Sequence, residues 1–204
     1  MDNKHPFASP GPAGLMVLGF YLGCLFPVAT GQAPHEMAIV LVALGFIGGT
    51  VQLVAGVIEL RNGMILPGNI LCAFSAFMFL GMGENLFKAL KLMPANSASV
   101  DGYIFTIMGI LMVGFTAPFL YKSLADGLFM ITTDIFFVGA GLSWLLGIPV
   151  LFTIAKWDLP LVILAILWCV IAEVNNTVFG KIVIPKGAPI LGKKNLPPSL
   201  DIAK

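Results

Sequence analysis

Six stretches of this chain run for about twenty residues with almost no charge, and that repetition limits what the chain can become. A run of this length is what an α-helix needs to cross a hydrocarbon core about 30 Å thick. Inside such a core every backbone N–H and C=O must find its partner within the protein, which leaves helices as the economical solution for separate segments. Charged residues make up only 10% of the chain, so a soluble domain of this length would lack a water-facing surface. The spans read as Ala13 to Ala29, Met37 to Leu60, Met64 to Leu86, Tyr103 to Tyr121, Leu128 to Ala155 and Leu159 to Phe179. Between them stand connectors rich in turn residues: Thr30 to Glu36, Arg61 to Gly63, Pro94 to Gly102, Lys122 to Gly127 and Lys156 to Asp158. The fifth span is longer than a bilayer requires, and Gly147 with Pro149 are its natural breaking point. The fold class expected is an all-α membrane protein, a bundle of six transmembrane helices.

Residues 1–185 are expected to form a single transmembrane domain behind a short polar N-terminal segment, with 186–204 as a cytoplasmic tail. An even number of spans puts both termini on one side. Lys4, Arg61, Lys122, Lys181, Lys186, Lys193, Lys194 and Lys204 fall on that side, while Lys88, Lys91 and Lys156 fall on the other. The positive-inside tendency then predicts cytoplasmic termini in a multi-pass protein of the cell membrane, with Trp157 as an interfacial anchor and lipid as the surroundings. The polar segment before the first apolar run is the wrong order for a cleavable signal peptide, so the first helix is expected to stay. A net charge of +1 without clustered basic residues points away from nucleic acid. Cys24, Cys72 and Cys169 lie far apart inside apolar runs, without metal or disulfide spacing, and read as small core residues. No metal or other cofactor is indicated. His5 and His35 lie outside the spans and no nucleophile–base pattern accompanies them, so no catalytic residue is assigned and the chain does not read as an enzyme.

Gly19 with Gly23 and Gly45 with Gly49 have the spacing that lets two helix backbones approach closely. Polar residues within the spans are costly unless paired or wet, so the acids there are informative. Glu59 sits two residues before Arg61 and is expected to reach the interface. Glu84 has Lys88 one helical turn further on as a partner. Asp134 and Glu173 are harder to place at a surface: each lies about seven residues, roughly 10 Å, from the cytoplasmic boundary at the rise of a helix. With Thr132, Thr133, Asn175 and Asn176 they suggest a polar layer in the inner third of the bundle. That layer is either a hydrogen-bonded network fixing helix register or part of a permeation route. No span holds a central Lys or Arg, which argues against a multivalent anion as cargo. Small neutral solutes, or weak acids of one charge held at helix N-termini, remain. The segment Ser9 to Leu15, with two prolines and two glycines at a helix start, is the best such site or else an ordinary helix beginning.

The same residues resemble the acetate uptake transporter family, which includes bacterial acetate/succinate transporters of the SatP/YaaH type. The family opens its first helix with Asn-Pro-x-Pro-Leu-Gly-Leu, and here Pro10, Pro12, Gly14 and Leu15 match while Ser9 and Ala13 depart. Gln52, Ala55, Gly56, Glu59 and Gly63 are similar to the family's second span, and Glu173, Asn176, Phe179, Gly180, Lys181 and Pro185 to its closing block. The resemblance implies a six-helix protomer with its own pore, assembled as a homo-hexameric ring, that passes acetate or a similar small carboxylate and in some members succinate. It also implies an apolar constriction, carried over to Leu18, Phe74 and Ile135, where the family has Phe, Tyr and Leu. All three remain apolar, so a dewetted gate is retained, although Phe74 lacks the phenol. Asp134 has no family counterpart and is either proton-linked or structural, because an ionised acid beside an anion path would repel the cargo. Two other readings stand beside this one: a passive channel for a small neutral solute such as urea or an amide, and a membrane subunit that transports nothing.

Overall fold

The protein is described by a computed structural model covering residues 7–93 and 98–192. Lys4, His5, Lys193, Lys194 and Lys204, part of the Pro94–Gly102 connector and most of the expected tail lie outside the described residues. Among the described residues there are six α-helices and no strand: α1 Gly11–Ala29, α2 Ile39–Arg61, α3 Ile65–Ala89, α4 Ala98–Leu120, α5 Leu124–Leu146 and α6 Pro149–Phe179. Each is long and apolar enough to cross a membrane. They form two compact units, α1–α3 and α4–α6 with the segment that follows α6.

In the first unit α2 packs against both α1 and α3. The turn between α2 and α3 follows from one glycine. Gly63 takes φ +80°, its amide bonds to Leu60 O and the next amide, of Met64, bonds to Glu59 O, which closes the last carbonyls of α2 in a Schellman arrangement. The two helices then run back to back on small residues. A Cβ on Gly56 would sit 2.6 Å from Cys72 Sγ and 3.0 Å from Gly68 O, and one on Gly68 would sit 3.0 Å from Leu60 N. Gly45 and Gly49 have the predicted role, facing Met78 O and the Phe79 ring of α3. Gly23 of the other predicted pair has nothing within 4 Å. Cys72 is half-buried and Cys169 buried, both as free thiols.

In the second unit α5 packs against both α4 and α6. Ser123 caps α5: its Oγ accepts from the Asp126 amide at 3.2 Å and donates to Asp126 Oδ2 at 2.5 Å. The breaking point foreseen near Gly147 is real, but its consequence differs from the expected spans. Gly147 takes φ +67° and ends α5, and Pro149 opens α6, whose first position tolerates a residue without an amide hydrogen. Residues 149–155 therefore belong to α6, and Lys156 to Asp158 is a stretch of helix rather than a connector. The polar residues there are carried within the helix, whose backbone hydrogen bonds do not depend on their side chains. Asp158 is buried and Lys156 lies 5.9 Å over the Phe152 ring. With 31 residues α6 is about 46 Å long at 1.5 Å per residue, well beyond the hydrocarbon core.

Nor does the chain leave the unit at residue 186. After Gly180, which ends α6 at φ +61°, the chain folds back as a strap: Ala125 N donates to Lys186 O and Leu191 N to Leu120 O, both at 2.9 Å. Gly187 takes φ +78° with its missing side chain against Leu124, and Ile190 fills the space beside Gly127.

Candidate functional site

The start of α1 is the first place where sequence expectation and geometry meet. Pro10 precedes the helix and Pro12 lies in its first turn. The remaining amides of that turn are engaged: Gly11 N donates to Ser9 Oγ at 3.4 Å, and Ala13 N and Gly14 N to Pro10 O at 3.0 and 3.2 Å. The helix start therefore offers no unused amide to an incoming anion, contrary to the expectation from its prolines and glycines. A carboxyl group stands there instead. Ser9 Oγ donates to Glu59 Oε1 at 2.7 Å, and a Cβ on Gly11 would be 3.4 Å from the same oxygen. Glu59 is 3% exposed, its carboxyl group held at the start of α1, the end of a helix where negative charge is favoured.

One turn further along α1, Gly14 is flanked by Leu71 and Ala55, and its carbonyl accepts from Gln52 Nε2 at 3.1 Å. Gln52 is fully buried, and its Oε1 has no hydrogen-bond partner among the described residues. Leu15 is half-buried, while Leu18 and Phe74 are buried in the same unit. Ser75, beside Phe74, donates to Gly49 O at 2.8 Å and ties α3 to α2. The first unit thus gathers Pro10, Pro12, Gly14, Leu15, Leu18, Gln52 and Phe74 of the expected site.

The second unit distributes its share differently. Asp134 lies ten residues into α5, about 15 Å along it. Its Oδ2 is 2.7 Å from Thr116 Oγ1 of α4, which is also 3.0 Å from Met112 O. Asp134 Oδ1 is enclosed with no partner among the described residues. Thr132 and Thr133 donate to carbonyls of their own helix, Leu128 O and Phe129 O. Ile135 is 40% exposed, whereas Phe136 and Phe137 turn inward and meet Phe105. Glu173 and Asn176, expected in a polar layer with Asp134, hold the strap. Asn176 Oδ1 accepts from Val183 N and Ile184 N at 2.7 and 2.9 Å, and its Nδ2 donates to Ile184 O at 2.8 Å. Lys186 Nζ is 2.5 Å from Glu173 Oε2 and 3.8 Å from Asp126 Oδ2, and Lys122 Nζ is 3.4 Å from Asp126 Oδ1. Burial of the Lys186 ammonium works to lower its pKa, but Asp126 and Glu173 outweigh that and raise it above 10.5. Asn175 donates only to Ile171 O of its own helix.

Sequence reading missed Thr116, Asp126 and Lys186 as participants. A signal existed for one of them, since Ser123 three residues before Asp126 has the spacing of a capping box. The expected pair of Glu84 with Lys88 is present at 3.8 Å.

Six strand-free, membrane-length helices define a multi-pass α-helical membrane protein, and the particular architecture can be compared with known ones. The solved structure of the bacterial acetate channel SatP resembles this one with a TM-score of 0.79 at 22% sequence identity, over 89% of this chain and 99% of that chain. No protein-family model and no curated relative matches the sequence. At this identity the likeness is one of fold: the chain has the six-helix architecture of that channel over nearly its whole length.

Proposed function

We propose that the chain belongs with the acetate uptake transporters and passes acetate and related small monocarboxylates across the cell membrane. The observation that carries the reading is the fold shared with an acetate channel across 99% of that channel. It is supported by the three sequence blocks similar to the family, which fall at the start of α1, in α2 and at the end of α6. On this reading Leu18 and Phe74 contribute the apolar constriction, and Gln52 is the polar point of the route. Wetting such a constriction is costly, which favours small, weakly hydrated cargo. The filled start of α1 means that substrate is not captured there by free amides. The chain works without a cofactor, as one protomer of a homo-hexamer with cytoplasmic termini.

The test is uptake into liposomes holding the purified protein, with labelled acetate and labelled urea in parallel and with or without a pH gradient. Acetate uptake well above empty liposomes, with urea at background, is expected. Absence of acetate flux at every pH overturns the reading, and urea flux without acetate replaces it with the neutral-solute channel. Phe74→Ala is expected to raise flux of monocarboxylates larger than acetate relative to acetate itself. An unchanged ratio removes Phe74 from the constriction.

A further inference from the structure

Two aspartates on α5 are provided for in opposite ways. Asp126 has Lys122 and Lys186 within 3.4 and 3.8 Å and the Ser123 hydroxyl besides. Asp134, two turns further on, has a single hydrogen-bond partner among the described residues, the hydroxyl of Thr116. The titratable groups on the elements packed against its helix are Asp101 and Tyr103 on α4, Asp126 on α5 itself, Lys156, Asp158, Cys169 and Glu173 on α6, and Lys181 and Lys186 on the strap. Among the described residues none of them makes a hydrogen bond or ion pair with Asp134.

Donor counting then decides the state of the acid. Thr116 Oγ1 lies 2.7 Å from Asp134 Oδ2 and 3.0 Å from Met112 O, yet a hydroxyl carries one hydrogen. If Asp134 were ionised, both neighbours would be acceptors, and one close oxygen pair would face each other without a proton between them. Its Oδ1, enclosed and without a donor, would bear half of a charge that nothing solvates. A proton on Oδ2 removes both conflicts at once. The acid donates to Thr116 Oγ1, Thr116 donates to Met112 O, and Oδ1 becomes the carbonyl oxygen of a neutral acid.

We propose that Asp134 and Thr116 form a proton-binding site between α4 and α5, occupied in the resting protein, with the proton on Asp134 Oδ2. Release of that proton goes to water and leaves an unpaired carboxylate at membrane depth, so it is disfavoured until solvent or a donor reaches Oδ1. The site is independent of what the protein carries. If the chain passes carboxylates, a neutral Asp134 also removes the negative charge that would oppose them.

Infrared difference spectroscopy of the lipid-reconstituted full chain tests this without any transport measurement. Wild type minus Asp134→Asn at neutral pH is expected to show the carbonyl stretch of a neutral carboxylic acid, shifted on exchange into D2O. Carboxylate bands in its place overturn the proposal. Thr116→Val keeps the acid and removes its hydrogen-bond acceptor, so the same band is expected to move to higher frequency. A neutral-acid band insensitive to Thr116→Val overturns the assignment to Asp134, including in the case where Asp134→Asn does not fold.

Discussion

The middle helices of the two units, α2 and α5, both carry buried polar groups, two on α2 and four on α5, but settle them by different means. On α2, Gln52 and Glu59 are held by a backbone carbonyl and a hydroxyl of the α1 end. On α5, Asp126 is held by lysines, one of them on the strap after α6, and Asp134 by a lone threonine. Hydrogen bonds of the first kind, with no cation in them, respond little to alkaline pH, while the ion pairs of the second kind respond to salt and to the loss of the lysine proton. The first unit is therefore built as a fixed scaffold around the residues of the proposed constriction, and the second carries the groups whose protonation or docking can change.

What the two units share sets the largest effect. Each locks its middle helix to a neighbour through glycine, and a side chain there would meet backbone, which cannot step aside. A Cβ on Gly141 of α5 would lie 2.5 Å from Thr106 N of α4, and one on Gly56 of α2 would lie 3.0 Å from Cys72 N and Gly68 O of α3. Gly141→Val and Gly56→Val are each expected to cost about 3 kcal/mol or more, read as a lower Tm and loss of the monodisperse peak in detergent. Gly23→Val, with nothing within 4 Å, is expected to leave both unchanged. A tolerant Gly141→Val alone would show that only the first unit is glycine-locked.

Next in size is the strap. Asn176 closes three hydrogen bonds to residues 183 and 184, so Asn176→Ala is expected to destabilise strap docking by about 2 kcal/mol. Trp168 Nε1 donates to Pro185 O, which makes Trp168 fluorescence, in a chain with Trp144 and Trp157 replaced by Phe, the reporter. The pH dependence has a definite sign. Lys186 has its pKa raised when docked, so its contribution is complete below 10.5 and is lost only as pH climbs through the higher value of the docked state. Trp168 emission is expected to be flat from neutral pH to 10.5 and to shift to the red above it, with Lys186→Met already shifted at neutral pH. A transition below 10.5 would show that Lys186 does not hold the strap.

The difference between the units also explains what could be read from sequence. The spans were legible because hydrocarbon imposes a length, and the α2–α3 turn because Gly63 sits where only a left-handed residue ends a helix this way. The α5–α6 boundary was legible at Gly147 but not its consequence, since Lys156 and Asp158 look like a loop until one is seen over an aromatic ring and the other buried. Glu59 invited comparison with Arg61, its neighbour in sequence, whereas its partner Ser9 belongs to another helix start. Lys186 with Asp126 is a pairing across most of a unit, and no local period announces it. Glu173 and Asn176 were recognised as notable from their motif, but the motif does not say that they bind the chain's own backbone and lysine.

A single hydrogen bond in the scaffold comes third. Ser75 donates to Gly49 O across the α2–α3 contact and is 2% exposed, so Ser75→Ala is expected to cost about 1 kcal/mol in thermal or denaturant unfolding. The matching change in the second unit is Thr133→Val, whose hydroxyl bonds only to Phe129 O of its own helix. Equal losses at the two positions would mean that cross-helix bonding does not distinguish the units.

The smallest effect is the sharpest discriminator, because it compares neighbours. Asn175 and Asn176 have the same side chain, stand one residue apart near the end of α6 and are both half-buried. The difference lies in direction: a step of one residue turns a helix by about 100°, so Asn176 reaches the strap while Asn175 bonds back to Ile171 O. That bond returns a carbonyl already used by the helix, and alanine has the better helix propensity by about 0.5 kcal/mol. Asn175→Ala is therefore expected to change stability by no more than about 0.5 kcal/mol, in the stabilising direction, and to leave Trp168 emission as in wild type. Loss of strap docking in Asn175→Ala would place both asparagines in one polar layer, as their spacing in sequence first suggests, and would remove the contrast between a strap-binding and a helix-bound residue.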